Sequence, residues 1–208
     1  MAPDADRLAF ARARKDLYSF LARAFCYPPG QDWLDRLGAP EIRESLAAIQ
    51  GAEGPGAPAL PEVRRAFFQL LKVPGDLYVR PYESVYSDSV RVAGEETGGL
   101  LMGEAAVAVQ RVYEAAGYSP PDHLELPDYL GHELAFAGYL WSLEEDALTA
   151  ANIEAADARR AETLAFVGAH LSRYVRRLVE VVGEKDPTGV YASLGAIATT
   201  LVEEDAAP

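Results

Sequence analysis

The chain has 208 residues, half of them apolar and a quarter charged, and its 19 Lys and Arg against 32 Asp and Glu give a net charge of −13. A chain of this length and composition folds as an ordinary globular protein without disulfides or structural metals, which excludes a disordered tail and a coiled coil. The negative charge repels phosphate backbones and anionic lipid heads, so we expect no nucleic-acid partner.

The cysteine content and the N-terminus bear on the cellular compartment. Cys26 is the single cysteine, so no internal disulfide can form. The N-terminus carries acids where a signal peptide is basic, and no window holds the roughly 18 consecutive apolar residues that span a bilayer. The sequence therefore predicts a cytoplasmic protein without stable membrane insertion.

Apolar residues recur three or four positions apart along most of the chain, which is typical of amphipathic helices. No stretch shows the sustained apolar–polar alternation of a sheet, so the sequence predicts an all-α fold, a single-domain helical bundle over residues 1–208. In chain order, the predicted helices cover residues 7–25, 41–50, 61–73, 100–116, 127–148 and 155–182, the last of these as one long helix, and a final helix runs from the Asp186–Pro187 pair to about residue 202.

Two stretches interrupt this helical pattern. Residues 51–61 are rich in Gly and Pro and predict a surface loop, whereas residues 73–98 show neither period and predict a long functional loop. The second stretch contains the segment PYESVY, residues 81–86, with two tyrosines, a carboxylate and a hydroxyl. That mixture suits peptide capture, although the tyrosines could equally fix the loop to the core while Glu83 and Ser84 cap a helical turn.

The residues that usually carry catalysis or bind metals are not arranged for it. His132–Glu133 begins like a zinc-protease motif, but Phe136 stands where the second histidine is required. The glycine-rich run at 98–103 lacks the Lys–Ser/Thr pair of a phosphate-binding loop. We therefore predict no enzymatic activity, no metal and no cofactor.

Residues 122–157 contain nine acids and no Lys or Arg. Solvated helix faces usually carry both signs of charge, so this stretch is a candidate surface for a cationic partner. The alternative is that the acids serve solubility alone.

The run LPDYLGHELAFAGYL, residues 126–140, resembles the signature of the cytoplasmic maturation chaperones of molybdenum oxidoreductases, the TorD/DmsD/NarJ family. PYESVY is similar to the family's Pro-x-Glu-Ser segment, and Tyr129 stands where the family usually has histidine, with Asp122–His123 as a shifted alternative. Three further stretches resemble the family's first and last helices: RxxLYSFLARAFxYPP at 14–29, FVGAHLSRYVRRL at 166–178, where Tyr174 replaces the usual tryptophan, and YASLGAIATTLVEED at 191–205.

The resemblance implies an all-helical chaperone, of the TorD/NarJ-like type, that catalyses no reaction. Its partner would be a molybdopterin oxidoreductase catalytic subunit, whose N-terminal region, a twin-arginine signal peptide, it binds while the cofactor is inserted and the complex is assembled before export. Paired arginines followed by an apolar segment require an apolar groove with carboxylates at its rim. The residues predicted to bind this peptide are Tyr82, Glu83, Ser84, Tyr86, Pro127, Asp128, Tyr129, Glu133 and Phe136.

Two alternatives remain open at this point. The first is a NarJ-type assembly chaperone for a nitrate-reductase-like subunit that is not exported. The second is a small all-α enzyme or ligand carrier with a pocket under the loop at 73–98. A monomer and a domain-swapped dimer are both compatible with the sequence.

Overall fold

The structure, a computed structural model, describes residues 3–39, 58–87, 90–92, 95–97, 99–121 and 124–207. The predicted helix at 41–50, most of the Gly/Pro-rich loop at 51–61 and the Asp122–His123 pair lie outside these residues. The helices are α1 (Pro3–Cys26), α2 (Gln31–Leu37), α3 (Leu60–Phe67), α4 (Glu83–Ser87), α5 (Glu104–Ala115), α6 (Leu130–Thr149), α7 (Ile153–Ala169), α8 (Val175–Lys185) and α9 (Val190–Ala206). The predicted all-α, single-domain bundle is confirmed.

The central helix of the bundle is α6, which is buried on most of its surface. Its interior residues include Leu130, Leu134, Phe136 and Trp141, each at most 1% exposed. A helix that is apolar nearly all round must be covered by several neighbours. Here α1 packs along one side of α6 and α7 along another, and α9 packs against both α7 and α8.

The predicted long helix at 155–182 is broken in the structure. Helix α7 ends at Ala169, a 3₁₀ turn covers Leu171–Arg173, and α8 begins at Val175. The backbone leaves the helical region at His170 (φ −120°, ψ −81°) and at Tyr174 (φ −138°, ψ −22°). The apolar period continues through the break because Leu171, Tyr174 and Val175 are all buried, so the hydrophobic pattern alone could not reveal it.

The predicted loop at 73–98 contains regular structure, so its prediction as structureless was wrong. It holds α4 and a short antiparallel pair, β1 (Val90–Val92) and β2 (Glu95–Thr97), in which Val90 lies opposite Thr97. The expectation of no sheet was therefore also wrong for these six residues. Strands of three residues are too short to show the alternation by which a sheet is recognised.

Several helix boundaries differ from the predicted ones. Helix α2 was not predicted, and α3 continues into a single π-helical turn at Phe68–Lys72. Helix α9 begins at Val190, after Gly189 with φ 71°, and not at Asp186. Asp186 still serves the start of α9, because its carboxylate accepts hydrogen bonds from the backbone N–H groups of Tyr191 and Ala192.

Helices α1 and α6 are in close contact at Gly131. A Cβ at this position would lie 2.5 Å from Cys26 Sγ and 2.8 Å from a ring carbon of Tyr129. We expect Gly131→Ala to lower the free energy of unfolding by about 1–3 kcal/mol, because extra volume in a packed contact forces its neighbours apart. Urea denaturation measures this change.

The matched control is Gly183→Ala in α8, where a Cβ would meet nothing within 4 Å. We expect this variant to gain up to about 1 kcal/mol, because alanine favours the helix over glycine. Equal effects at the two glycines would contradict the close packing of α1 on α6.

Candidate functional site

Two segments that the sequence singled out lie side by side in the structure. The backbone N–H of Glu83 donates to the carbonyl of Asp128 at 2.9 Å, and the N–H of Leu130 donates to the carbonyl of Pro81 at 2.8 Å. Tyr82 and Tyr129 form the isolated antiparallel bridge between them. The predicted residues of PYESVY and of Leu-Pro-Asp-Tyr are therefore brought together at one place.

Asp128 holds the start of the short helix α4. Its Oδ2 accepts a hydrogen bond from the backbone N–H of Ser84 at 2.9 Å, and its side chain is fully buried. The first N–H groups of a helix have no partner within the helix, so a carboxylate placed there stabilises the helix start. The turn predicted to be capped by Glu83 and Ser84 is thus capped by Asp128, and this leaves the Glu83 side chain for other contacts.

The carboxylate of Glu83 is fully buried and is held by two residues of the break between α7 and α8. His170 Nδ1 lies 2.8 Å from Glu83 Oε2, and Arg173 Nη1 lies 3.3 Å from Oε1. An ionised carboxylate only accepts hydrogen bonds, so an ionised Glu83 requires a proton on His170 Nδ1 for this contact. In a 3₁₀ turn, residues three positions apart align on one side, which brings His170 and Arg173 to the same carboxylate.

Glu133 lies in the first turn of α6 and is completely buried. Burial raises its pKa well above the ordinary value, and the nearby carboxylates of Glu83 and Asp128 raise it further. The Tyr174 hydroxyl and Arg173 act in the opposite direction. Burial therefore favours the protonated form of Glu133.

The same cluster contains buried polar atoms without a hydrogen bond of ordinary geometry to any described residue. These atoms are both carboxyl oxygens of Glu133, Asp128 Oδ1, Ser84 Oγ and the Tyr174 hydroxyl. Buried polar groups are normally satisfied, so a group of such atoms in one place marks hydrogen-bonding capacity that a water or a bound group can use. We call Glu83, Asp128 and Glu133 the carboxyl cluster.

The predicted aromatic residues take different positions around the carboxyl cluster. Tyr129 is fully buried, and its hydroxyl donates to the backbone carbonyl of Phe25. The Tyr82 hydroxyl donates to Glu125, and Tyr86 packs on Tyr174 with ring centroids 6.3 Å apart. Burial raises the pKa of Tyr86 to about 12. These rings anchor the two segments to the core.

Pro127 and Phe136 complete the predicted set. The Pro127 carbonyl accepts a hydrogen bond from the Tyr113 hydroxyl at 3.2 Å, which ties the segment to α5. The Phe136 ring contacts those of Tyr113 and Phe166, with centroids 4.8 Å and 4.7 Å away. Phe136 therefore faces away from the tyrosines of the two segments and toward the space between α5, α6 and α7.

An apolar groove of about 670 Å³ lies between α5, α6 and α7. Phe136, Tyr139, Leu143 and Phe166 line it, and His170 reaches its wall. Because the Nδ1 of the same His170 contacts Glu83, the groove and the carboxyl cluster are joined through one side chain. An ion pair between Arg159 and Glu162, at 2.8 Å, is also part of the groove lining.

The sequence interpretation did not select His170 or Arg173. The available signal was the run His-Leu-Ser-Arg, in which a histidine and an arginine three positions apart share a face of any helix. Nothing in the sequence shows that this face meets Glu83, which is 87 positions away from His170.

Most of the described acids between residues 125 and 157 are buried or paired within the chain. Glu133 and Asp128 are buried in the carboxyl cluster, and Lys72 pairs with Glu125 at 2.7 Å. Other acids of the stretch pair with the basic side chains of α1: Arg7 with Glu144 and Asp157, and Arg12 and Lys15 with Glu145. The prediction of an exposed surface for a cationic partner is therefore wrong for Glu125, Glu144, Glu145 and Asp157, which pair with basic side chains of the same chain.

The described residues form neither a recognisable metal site nor a membrane-spanning helix. Among them, no three His, Cys, Asp or Glu side chains are grouped as a metal site would require. None of the described helices is both long and apolar enough to cross a bilayer.

The buried carboxyl of Glu133 gives a prediction for stability. The pKa of Glu133 is higher in the folded protein than in the unfolded chain, so the unfolded chain loses this proton first as the pH rises. The free energy of unfolding therefore falls by up to about 1.4 kcal/mol per pH unit above the ordinary pKa of glutamate, until the pKa of the folded protein is passed. Glutamine resembles the protonated carboxyl and does not ionise. We expect the stability of Glu133→Gln relative to the parent protein to increase between about pH 5 and about pH 8, measured by urea denaturation.

The control for this experiment is Glu184→Gln, which changes an exposed side chain of α8 in the same way. Its stability relative to the parent should be nearly independent of pH. A pH-independent difference for Glu133→Gln would show that Glu133 ionises normally in the folded protein.

The amino-acid sequence matches a known protein family. No curated protein matches the chain. The family model described as nitrate reductase delta subunit matches residues 31–180, which is more than half of the chain. This family comprises NarJ/TorD-type chaperones, and membership implies a role in molybdoenzyme assembly. The chain therefore belongs to the nitrate reductase delta subunit family of molybdoenzyme assembly chaperones.

Proposed function

We propose that this protein is a system-specific cytoplasmic chaperone that binds the N-terminal region of a molybdopterin oxidoreductase catalytic subunit. The bound region is a twin-arginine signal peptide, which the chaperone holds while the cofactor is inserted and before export. The observation that supports this proposal most is the junction of an apolar groove with a buried carboxyl cluster through His170.

The groove fits the apolar part of such a peptide. Its aromatic and aliphatic lining, which includes Phe136 and Phe166, offers contacts to an apolar segment laid between α5, α6 and α7. Peptides with apolar side chains on one face commonly bind in grooves between helices. The apolar stretch that follows the paired arginines would be held in this way.

The carboxyl cluster fits the arginine part. A guanidinium carries five N–H donors in a planar fork, and it matches carboxylates with defined geometry. Buried oxygens of Glu133 and Asp128 that lack a hydrogen bond of ordinary geometry lie near Glu83, the carboxylate that already binds one arginine, Arg173. The Arg173 side chain is 48% exposed, so an arginine that starts at the surface can reach this buried carboxylate.

The position of the carboxylates changes one expectation. The sequence analysis placed Glu83, Asp128 and Glu133 at the rim of the groove, whereas all three are buried. Charge pairs removed from solvent are screened less by salt than exposed pairs. Arginine recognition at this cluster should therefore depend more on the shape of the cation than on ionic strength.

The second candidate is a chaperone for a nitrate-reductase-like subunit that is not exported. The description of the matching family as a nitrate reductase delta subunit favours it. Such a client would present an N-terminal segment without paired arginines to the same groove. A small-molecule carrier is the remaining alternative, and native mass spectrometry of the purified protein would reveal its ligand.

The proposal is tested by replacing Glu83. Glu83→Gln keeps the size of the side chain and removes its charge, so we expect binding of a peptide with two adjacent arginines and an apolar segment to weaken by about 30-fold or more, as for a buried charge pair that loses one partner. Titration calorimetry measures the affinity, and circular dichroism checks that the variant is folded.

Two controls make the result specific. Glu184→Gln removes an exposed carboxylate away from the cluster and should bind as the parent does. A second peptide, with both arginines replaced by glutamine, should bind weakly to all three proteins if the client has paired arginines, and as tightly as the first if the client is the non-exported type. Failure of the parent protein to bind either peptide would contradict the proposed function.

A further inference from the structure

The carboxylate proposed to receive a client arginine already holds an arginine of the same chain. Resting on the function proposed above, we propose that Arg173 is a resident occupant of the client's arginine site, and that a client guanidinium binds Glu83 by displacing it. Arg173 would then set both the affinity and the selectivity of client binding.

The contact between Arg173 and Glu83 is weak enough for another guanidinium to displace Arg173. Arg173 approaches Oε1 through Nη1 alone, at 3.3 Å, whereas His170 lies 2.8 Å from Oε2. Short charge-assisted hydrogen bonds lie near 2.7–2.9 Å, and two parallel bonds give arginine its strongest carboxylate pairing. Almost half of the Arg173 side chain is exposed, so little of it must be released from the core when the contact opens.

The residue also sits where the backbone permits local change. Arg173 ends the 3₁₀ turn between α7 and α8, and the next residue, Tyr174, has non-helical dihedral angles. A 3₁₀ turn inside a longer helical run is a frequent site of bending. His170 and Tyr174 are buried on either side of Arg173, so the arginine can leave while its neighbours hold the turn.

A second carboxylate, that of Glu180, is available to Arg173 on the surface of the protein. Arg173 lines a surface cavity of about 350 Å³ together with Glu180 and Glu203 of the adjoining helices. Glu203 pairs with Arg176, whereas Glu180 makes no ion pair with any described residue. A displaced Arg173 therefore has a free carboxylate in a cavity that it already lines. The resident and displaced positions of Arg173 therefore differ in the carboxylate with which it pairs, Glu83 in the first and Glu180 in the second.

A client guanidinium can form more contacts in the cluster than Arg173 does. Oxygens of Glu133 and Asp128 and the Ser84 hydroxyl are buried near Glu83 without a hydrogen bond of ordinary geometry to a described residue, and Arg173 makes no hydrogen bond to them in this structure. A ligand shifts an equilibrium only by its difference in affinity for the two states. The additional acceptors supply that difference for a planar cation with five donors, and less of it for a lysine ammonium.

The exchange predicts that removing the resident arginine strengthens client binding. We would measure the affinity of the diarginine peptide for the parent protein and for Arg173→Gln, Arg173→Lys and Arg176→Gln by titration calorimetry. We expect Arg173→Gln to bind about fivefold more tightly, which is the factor that corresponds to about 1 kcal/mol for a partly exposed ion pair. Arg173→Lys keeps the charge in a more hydrated form, so its affinity should fall between those of the parent and Arg173→Gln.

Arg176→Gln is the matched control, because it removes a neighbouring exposed arginine that pairs with Glu203 and not with Glu83. It should bind as the parent does. Parent-like or weaker binding by both Arg173 variants, with peptide binding by the parent intact, would overturn the displacement and leave the proposed function standing. No binding by any of the four proteins would overturn the proposed function and this inference together.

Discussion

Two helix starts that cap each other hold the candidate site together. The first backbone N–H groups of α4 are bonded by the carbonyl and the carboxylate of Asp128, and the first N–H of α6 is bonded by the carbonyl of Pro81. Both sets of donors would otherwise be buried without partners, which costs free energy. The segments are more than forty residues apart in sequence, yet neither helix start is complete without the other. This reciprocal capping fixes Glu83 beside Glu133, so the charge arrangement of the site follows from a backbone requirement.

Three carboxyl groups buried together would repel one another if all were ionised, and other parts of the fold reduce this repulsion. From the break between α7 and α8, Arg173 places a positive charge and His170 a ring nitrogen on Glu83, and burial favours the protonated form of Glu133. Removing one partner of a buried charge pair lowers stability more than replacing the whole pair by apolar residues, because the remaining charge is left uncompensated. The break between α7 and α8, across which the apolar pattern continues, is therefore linked to the burial of Glu83. It places two polar side chains on the carboxylate while the apolar residues on both sides still face the core.

The sequence was informative where a local pattern decides the structure and uninformative where distant segments meet. The apolar periods predicted α1, α6 and the all-α class, and the two peptide motifs named most residues around the carboxyl cluster. The burial of Glu83 and Glu133 was not predictable, because it depends on which helices cover them. The same holds for the acids at 122–157, whose partners Arg7, Arg12 and Lys15 lie more than a hundred residues away on α1. Charge counted along a sequence does not show which charges meet in space.

Tyr129 occupies a motif position and connects two helices of the bundle. The family's usual residue at this position is histidine, but here a buried tyrosine donates its hydroxyl to the carbonyl of Phe25, in the last turn of α1, and lies under the ammonium of Lys72, 4.4 Å from the ring centroid. The last carbonyls of a helix lack partners within it, so Tyr129 joins the end of α1 to the start of α6. Burial raises its pKa well above the ordinary value, so it remains a neutral hydrogen-bond donor. An imidazole does contact the carboxyl cluster, but it belongs to His170 and reaches Glu83 from the break between α7 and α8.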